Sequence, residues 1–500
     1  MISWLRSHYI ALVVAILAIL PLGVLISIAL DADQIFYPGH YVVFLNTILV
    51  AAATAFISIC IGVPIALITT YLDFPFRKLW LVILLTPLAI PSYIGAFALY
   101  AAFGRGGELD AFLPFTPPAI EGIVGTVLVL SLYTYPFVVL TTRASLVKID
   151  HNQLHASRTL GLGLFASVRR VIIPRIINGI AGGALLAGLY AISDFGTPAI
   201  MGVNTYTRAI YVEYNALGLA QAAGLSLQLI LLVGILLIFE SRAKIPRASP
   251  GRLIAINPST TQTLAIFSFI LPIVLLSIVL PISIFTLWLV REGIASFEFF
   301  NVLNSVFVSF IAAMVSMLLA LPIALSALHG RAGKLMERIT YLGFGIPGIV
   351  MGTALVYVGL QIPIIYQTFL LLILAYVLRF LSLGVTSVRS SLEGIDDSLS
   401  NAAKSLGASP PEIFRRVTFP QLSKGMIAGA ALVFLETMRE LPATLLLGPT
   451  GFETLATYLW RVYEAGYFGR AAIPGLLLIL ASVIVLLIML STENIIDDSN

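Results

Sequence analysis

The residues with chemical capacity in this sequence are few, and several stand where charge is expensive. Asp194, Glu436, Glu440, Arg379 and Tyr190 all fall within long apolar runs. Ionisable groups inside a hydrocarbon layer are costly and point to function. Tyr190 and Asp194 are spaced i, i+4, as are Glu436 and Glu440, so on a helix each pair shares a face. Carboxylates and a phenol brought together from two related faces are hard oxygen ligands, suited to a small, highly charged cation near the outer end of a pathway. Contact with a protein on the outer side is a second role for the same four residues. The acids could instead pair with Arg439 or Arg208, or cap helix breaks at Gly196-Thr197-Pro198 and Pro442. Arg379 reads as a side chain that snorkels to the cytoplasm or pairs within a bundle.

No enzyme constellation accompanies these groups. The five histidines form no HExxH pair, there is no GxxxxGK[ST] phosphate loop, and the single cysteine, Cys60, excludes a disulfide framework and a cysteine-based zinc or iron–sulfur site. The expectation is a chain that is not an enzyme, holds no cofactor of its own and has no nucleic-acid partner; its metal ligands, if any, are left open.

The elements that must position these residues follow from composition. Hydrophobic residues make up 59 % and charged residues 10 % of 500, against roughly 25 % charged in a soluble domain. There is too little polar surface for a globule of this size in water, so the chain belongs in a lipid bilayer. A spanning helix takes about 20 apolar residues. Twelve such runs are present: 9–30, 44–71, 79–103, 121–142, 177–199, 217–240, 263–290, 305–327, 339–360, 367–388, 423–445 and 470–491. The first follows Arg6 and resembles a signal peptide, but it is long and lacks a small-x-small cleavage site, so it is read as an anchor. The predicted fold class is an all-α polytopic membrane protein. With the N-terminus inside, 21 of the 28 Lys and Arg residues fall in inside segments and six outside. That bias places both termini in the cytoplasm.

An internal duplication organises the spans. Arg143–Pro174 aligns without gaps on Arg389–Pro420 at an offset of 246, and the run from Asn46 matches that from Asn304 at 258. Two six-helix halves of like topology form a parallel repeat: 1–240, with its repeated loop at 143–176, and 263–500, with its loop at 389–422. A basic, Pro- and Ser-rich linker, 241–262, joins them. The first and seventh spans lie outside the repeated core. Gly161 and Gly407 stand where a left-handed residue would end one short helix and start the next. Pro174 and Pro420 precede the following spans. Broken-helix signals also recur, at Pro87, Pro91 and Gly95 and again at Pro347, Gly348 and Gly352. They are read as hinge or pathway positions, or as sites of close helix packing.

At the duplicated loops the chain resembles the inner-membrane permeases of ABC importers, whose EAA loop carries E-A-A, then a glycine, then I-x-L-P. Here it stands as His155-Ala156-Ser157, Gly161 and Val171-x-Ile173-Pro174, and again as Asn401-Ala402-Ala403, Gly407 and Val417-x-Phe419-Pro420. His155 and Asn401 occupy the glutamate's place. The resemblance implies that each loop couples to a separate cytoplasmic ATPase subunit, one per loop, which carries the ATP and magnesium. It also implies a solute-binding protein on the periplasmic face and a bacterial inner-membrane location. Met438–Trp460 and Ser193–Tyr211 look most like the ferric-iron type. Permeases for thiamine, phosphonates, sugar phosphates and polyamines are similar. A secondary transporter, also often duplicated, is the alternative of a different class, and the repeated inside loop argues against it.

Overall fold

The computed structural model describes residues 2–30, 38–111, 114–115, 117–147, 159, 161, 163–242, 257–294, 297–328, 330–395 and 397–492. All of the regular structure among them is helical. In chain order the first half contains α1 (Ile2–Leu30), α2 (Pro38–Tyr71), α3 (Arg77–Leu85), α4 (Ser92–Phe103), α5 (Gly122–Leu146), α6 (Ile173–Ser193), α7 (Gly196–Ile200), α8 (Tyr206–Asn215) and α9 (Leu219–Arg242). The second contains α10 (Thr260–Val274), α11 (Leu280–Glu292), α12 (Phe300–Leu328), α13 (Arg331–Gly345), α14 (Gly348–Gln361), α15 (Phe369–Glu393), α16 (Asp397–Ser405), α17 (Phe419–Met438), α18 (Pro442–Leu447), α19 (Leu455–Glu464) and α20 (Ala472–Thr492).

Among the described residues nine helices are long and apolar enough to cross a bilayer, and two bent pairs raise the number to eleven. The twelfth run of the sequence coincides with a shorter apolar helix, Phe468–Ile484. Two corrections concern shape. The runs 79–103 and 339–360, expected as single spans, are broken: the chain turns by 90° between Arg77–Leu88 and Ser92–Ala111, and by 103° between Arg331–Gly345 and Gly348–Gln361. Pro91 and Pro347 sit at the breaks with extended backbone, each leading into the next helix, and Ile346 is extended too, as a proline imposes on the residue before it. The runs 177–199 and 423–445 are also displaced. Their helices start earlier and stop at Ser193 and Met438, leaving Gly196–Ile200 and Pro442–Leu447 as separate short helices.

Packing repeats with the sequence. α2, α5 and α6 pack on one another, as do their counterparts α12, α15 and α17. Lipid tails are as apolar as leucine, so helices associate through small residues and polar contacts. Accordingly α2 turns Thr47, Ala51, Thr54 and Ser58 inward at helical spacing, and Ser58 shares a 3.0 Å hydrogen bond with Thr134 of α5. The non-repeated spans interlock the halves: α1 lies against α12, α13 and α14, whereas α10 and α11 lie against α3 and α4.

Three π-helical turns share one cause. Val168–Ile172, Leu275–Val279 and Phe414–Thr418 each end two residues before a proline: Pro174, Pro281 and Pro420. A helical proline offers no N–H and its ring collides with the carbonyl of residue i−4. Widening the preceding turn to an i→i+5 bond, as from Ile173 N–H to Val168 O, absorbs the collision. The first and third π turns are equivalent under the 246 offset. At the second, the carbonyl that Pro281 leaves orphaned, Ser277 O, accepts from Tyr133 Oη of α5 at 2.9 Å. Irregular backbone at membrane depth needs such partners.

Candidate functional site

The four pathway candidates converge on the two helix breaks, though not as two matching helical faces. α6 stops one residue before Asp194, whose own N–H donates to Tyr190 O at 2.9 Å. Its carboxylate then accepts from Thr197 N at 3.0 Å, capping α7. The other oxygen accepts from Ser92 Oγ at 2.8 Å, and Ser92 is the first residue after the Pro91 break. Tyr190 Oη donates to the same Ser92 Oγ at 3.2 Å. Tyr190 and Asp194 therefore meet through Ser92.

The second half repeats this plan with different chemistry. Glu440 lies beyond the end of α17 and accepts from Ala443 N at 3.1 Å, capping α18 as Asp194 caps α7. Its partner is a cation: Arg379 Nη1 of α15 stands 2.6 Å from Glu440 Oε1. The pair presses on Gly348, the first residue after the Pro347 break. A Cβ there would lie 1.8 Å from Arg379 Nη1 and 2.4 Å from Glu440 Oε1. Ser92 and Gly348 thus hold equivalent places, one donating to an acid and the other making room for an ion pair.

Glu436 is not part of the Glu440 contact. The helix ends between them, and Glu436 pairs with Arg439. Arg439 also crosses to the first half, where Nη1 donates to Ala89 O at 2.8 Å in the broken third span. Tyr93 Oη returns a bond to Arg439 O at 3.3 Å. Arg439 thus spans the two halves, and it satisfies backbone that the break at Pro87–Pro91 leaves open. Sequence reasoning missed Ser92, Tyr93 and this role of Arg439. The only signal was their position directly after a break proline or beside a buried acid. No group of three or more His, Cys, Asp or Glu among the described residues could hold a metal ion.

The repeated loops are described unevenly. His155, Ala156 and Ser157 lie outside the described residues, whereas Gly161 is described, exposed, with φ +87°. The second loop is clear. α16 ends in a Schellman motif: Ala408 N–H reaches Ala403 O at 3.1 Å, Gly407 N–H reaches Lys404 O at 3.0 Å, and Gly407 has φ +82°. Asn401 and Ala402 are exposed and Ala403 half-buried. Leu399, Ala402 and Leu406 share one face of the turn, and Leu406 is 88 % exposed. Pro174 and Pro420 are exposed in the first turns of α6 and α17. The arrangement is a short amphipathic hook at the foot of a membrane bundle, with polar junctions at the far ends of α6 and α17.

Comparison with known proteins agrees with this architecture. The family profile described as "Binding-protein-dependent transport system inner membrane component" matches twice, over residues 58–247 and 312–497. The Fe(3+)-transport system permease protein FbpB 2 of Haemophilus influenzae is 28 % identical, over 91 % of this chain and 91 % of its own. The ferric transport system permease protein FbpB of Actinobacillus pleuropneumoniae is 22 % identical over 88 % of this chain and 70 % of its own. The molybdate/tungstate transport system permease protein WtpB of Pyrococcus abyssi is 29 % identical over 38 % of this chain and 71 % of its own. With both halves matched, this chain belongs to the family of binding-protein-dependent transport system inner membrane components, as a fused permease of the ABC type.

Proposed function

We propose that this permease carries ferric iron from a periplasmic binding protein to the cytoplasm, driven by two ATPase subunits gripping the loops at 143–176 and 389–422. The observation that carries the coupling half of this reading is the second hook, a helix ended by a left-handed glycine with an exposed apolar face. Such a face fits a groove in a partner. ATP and magnesium reside on that partner, both termini face it, and the chain itself only binds and moves solute. The linker 241–262 then joins two six-span units on the cytoplasmic side.

Iron is favoured by extent of likeness. The Fe(3+)-transport relative matches across both halves, whereas the molybdate/tungstate relative spans 38 % of this chain and a putative 2-aminoethylphosphonate permease of Salmonella typhimurium 47 %. The junction chemistry supports a cationic solute: Asp194 is held by neutral donors, Ser92 and Thr197, rather than by a basic side chain. Tyr190 and Ser92 add oxygen ligands beside it. The test is uptake of radiolabelled Fe(III), presented by the cognate binding protein, into vesicles holding the full importer. Molybdate and 2-aminoethylphosphonate serve as competitors. Iron uptake that depends on ATP and ignores both competitors is expected; uptake of either competitor in its place overturns the iron assignment.

A further inference from the structure

The two repeated loops begin at equivalent arginines, Arg143 and Arg389, but the two side chains grip different elements. Arg143 donates to Thr69 O at 2.8 Å and to Thr69 Oγ1 at 3.0 Å, in the last turn of α2. Arg389, near the end of α15, donates to Glu337 of α13 and, at 2.8 Å, to Glu393. Glu337 is 1 % exposed. Tyr341 also donates to it at 3.4 Å while sharing a 3.0 Å bond with Thr386 of α15. A carboxylate buried this deeply needs its cation, so the contact is expensive to break.

α13 is the first arm of the broken ninth span. It lies close against its neighbours: a Cβ on Gly343 would sit 1.9 Å from Leu378 O of α15, and one on Gly333 1.9 Å from Ser326 O of α12. Beyond its end the chain turns 103° into α14, whose first residue faces the Arg379–Glu440 pair. α15 therefore carries the second loop at its foot, the Arg389–Glu337 contact just above it, and Arg379 about 15 Å further along.

We propose that Glu337 and Arg389 are positioning residues through which the second loop drives the broken ninth span. Displacement of the loop moves α15, the pair carries α13 with it, and the turn at Ile346-Pro347 passes the motion to α14 and the Arg379–Glu440 contact. In the first half the equivalent Arg143 holds the last turn of α2, an unbroken span. The coupling of loop to broken span rests on reading the loops as ATPase docking elements.

The test uses the complete importer in vesicles, with its binding protein loaded with Fe(III). Glu337→Gln and Arg389→Gln should each retain the ATPase subunits yet lose about fivefold of the binding-protein stimulation of ATP hydrolysis. The double variant should be no worse than either single one, and Arg389→Lys should recover most of the stimulation. A cargo-independent readout is the distance between spin labels at Lys334→Cys and Ser405→Cys in a Cys60→Ser chain. It should stay fixed between nucleotide-free and vanadate-trapped states, and should shift in Arg389→Gln. Full stimulation in Glu337→Gln, losses that multiply in the double variant, or equal defects in Arg389→Lys and Arg389→Gln overturn the proposal while leaving the docking reading intact. Failure of the parent chain to retain ATPase subunits overturns both.

Discussion

Arg379 and Glu440 meet at 2.6 Å, 61 residues apart in sequence, on the one face of α14 where a glycine leaves room for them. The pair replaces, in the second half, the Ser92–Asp194 hydrogen bond of the first. One consequence is mechanical: each half fastens its short post-break helix to its broken span, but with unlike strength. Glu440→Ala should destabilise the purified protein by about 3 kcal/mol, since it strands a largely enclosed arginine. Glu440→Gln combined with Arg379→Gln should cost clearly less. Thermal unfolding in detergent reads both, and equal losses would show that the pair is not the source.

Gly348 gives a steric test of the same junction. Gly348→Ala puts a methyl inside contact distance of both charged groups, so it should mimic the loss of the pair. Gly182→Ala in α6, where a Cβ meets nothing within 4 Å, should be silent or slightly stabilising. The comparison needs only melting curves and uptake rates of the two variants.

Asp194 separates capping from charge. Asparagine Oδ1 can still accept from Thr197 N while its Nδ2 donates to Ser92 Oγ, whose hydroxyl can turn to accept, so Asp194→Asn should fold and assemble normally. If the carboxylate attracts a cationic solute, uptake should fall about tenfold, equivalent to roughly 1.4 kcal/mol. Asp194→Ala loses the cap as well and should cost about 1 kcal/mol of stability. Unchanged uptake in Asp194→Asn combined with Glu440→Gln would make both acids structural.

The glycines of the two repeated loops should tolerate nothing bulky. At φ +87° and +82° a side chain is strained by about 1 kcal/mol, and among the described residues nothing else crowds either site. Gly161→Leu with Gly407→Leu should therefore leave the membrane bundle folded while sharply reducing recovery of ATPase subunits with the permease. Pull-down from solubilised membranes reads this directly.

Much of this molecule is legible in its sequence, for identifiable reasons. Apolar length marked the membrane-crossing helices, and the ungapped repeat marked the left-handed glycines. What escaped is non-local or masked by hydropathy. The apolar run through Phe195–Ile200 is continuous, so no window shows where α6 stops, although Gly196-Thr197-Pro198 and Pro442 did mark breaks that Asp194 and Glu440 could cap, as they do. The prolines at 91 and 347 marked breaks, but not bends of 90° and 103°, since an angle depends on what each arm packs against. The 60-odd residues between Arg379 and Glu440 hide their pairing, and nothing local announces that α1 leans on the second half.

The account stands or falls on where the hooks point and what holds them. The direct measurement is reaction of Ala402→Cys, in a Cys60→Ser chain, with a membrane-impermeant thiol reagent in vesicles of both orientations. Labelling confined to inverted vesicles, and slowed when the ATPase subunits are bound, is the predicted result. Labelling from the outer face, or at a rate indifferent to those subunits, would contradict it.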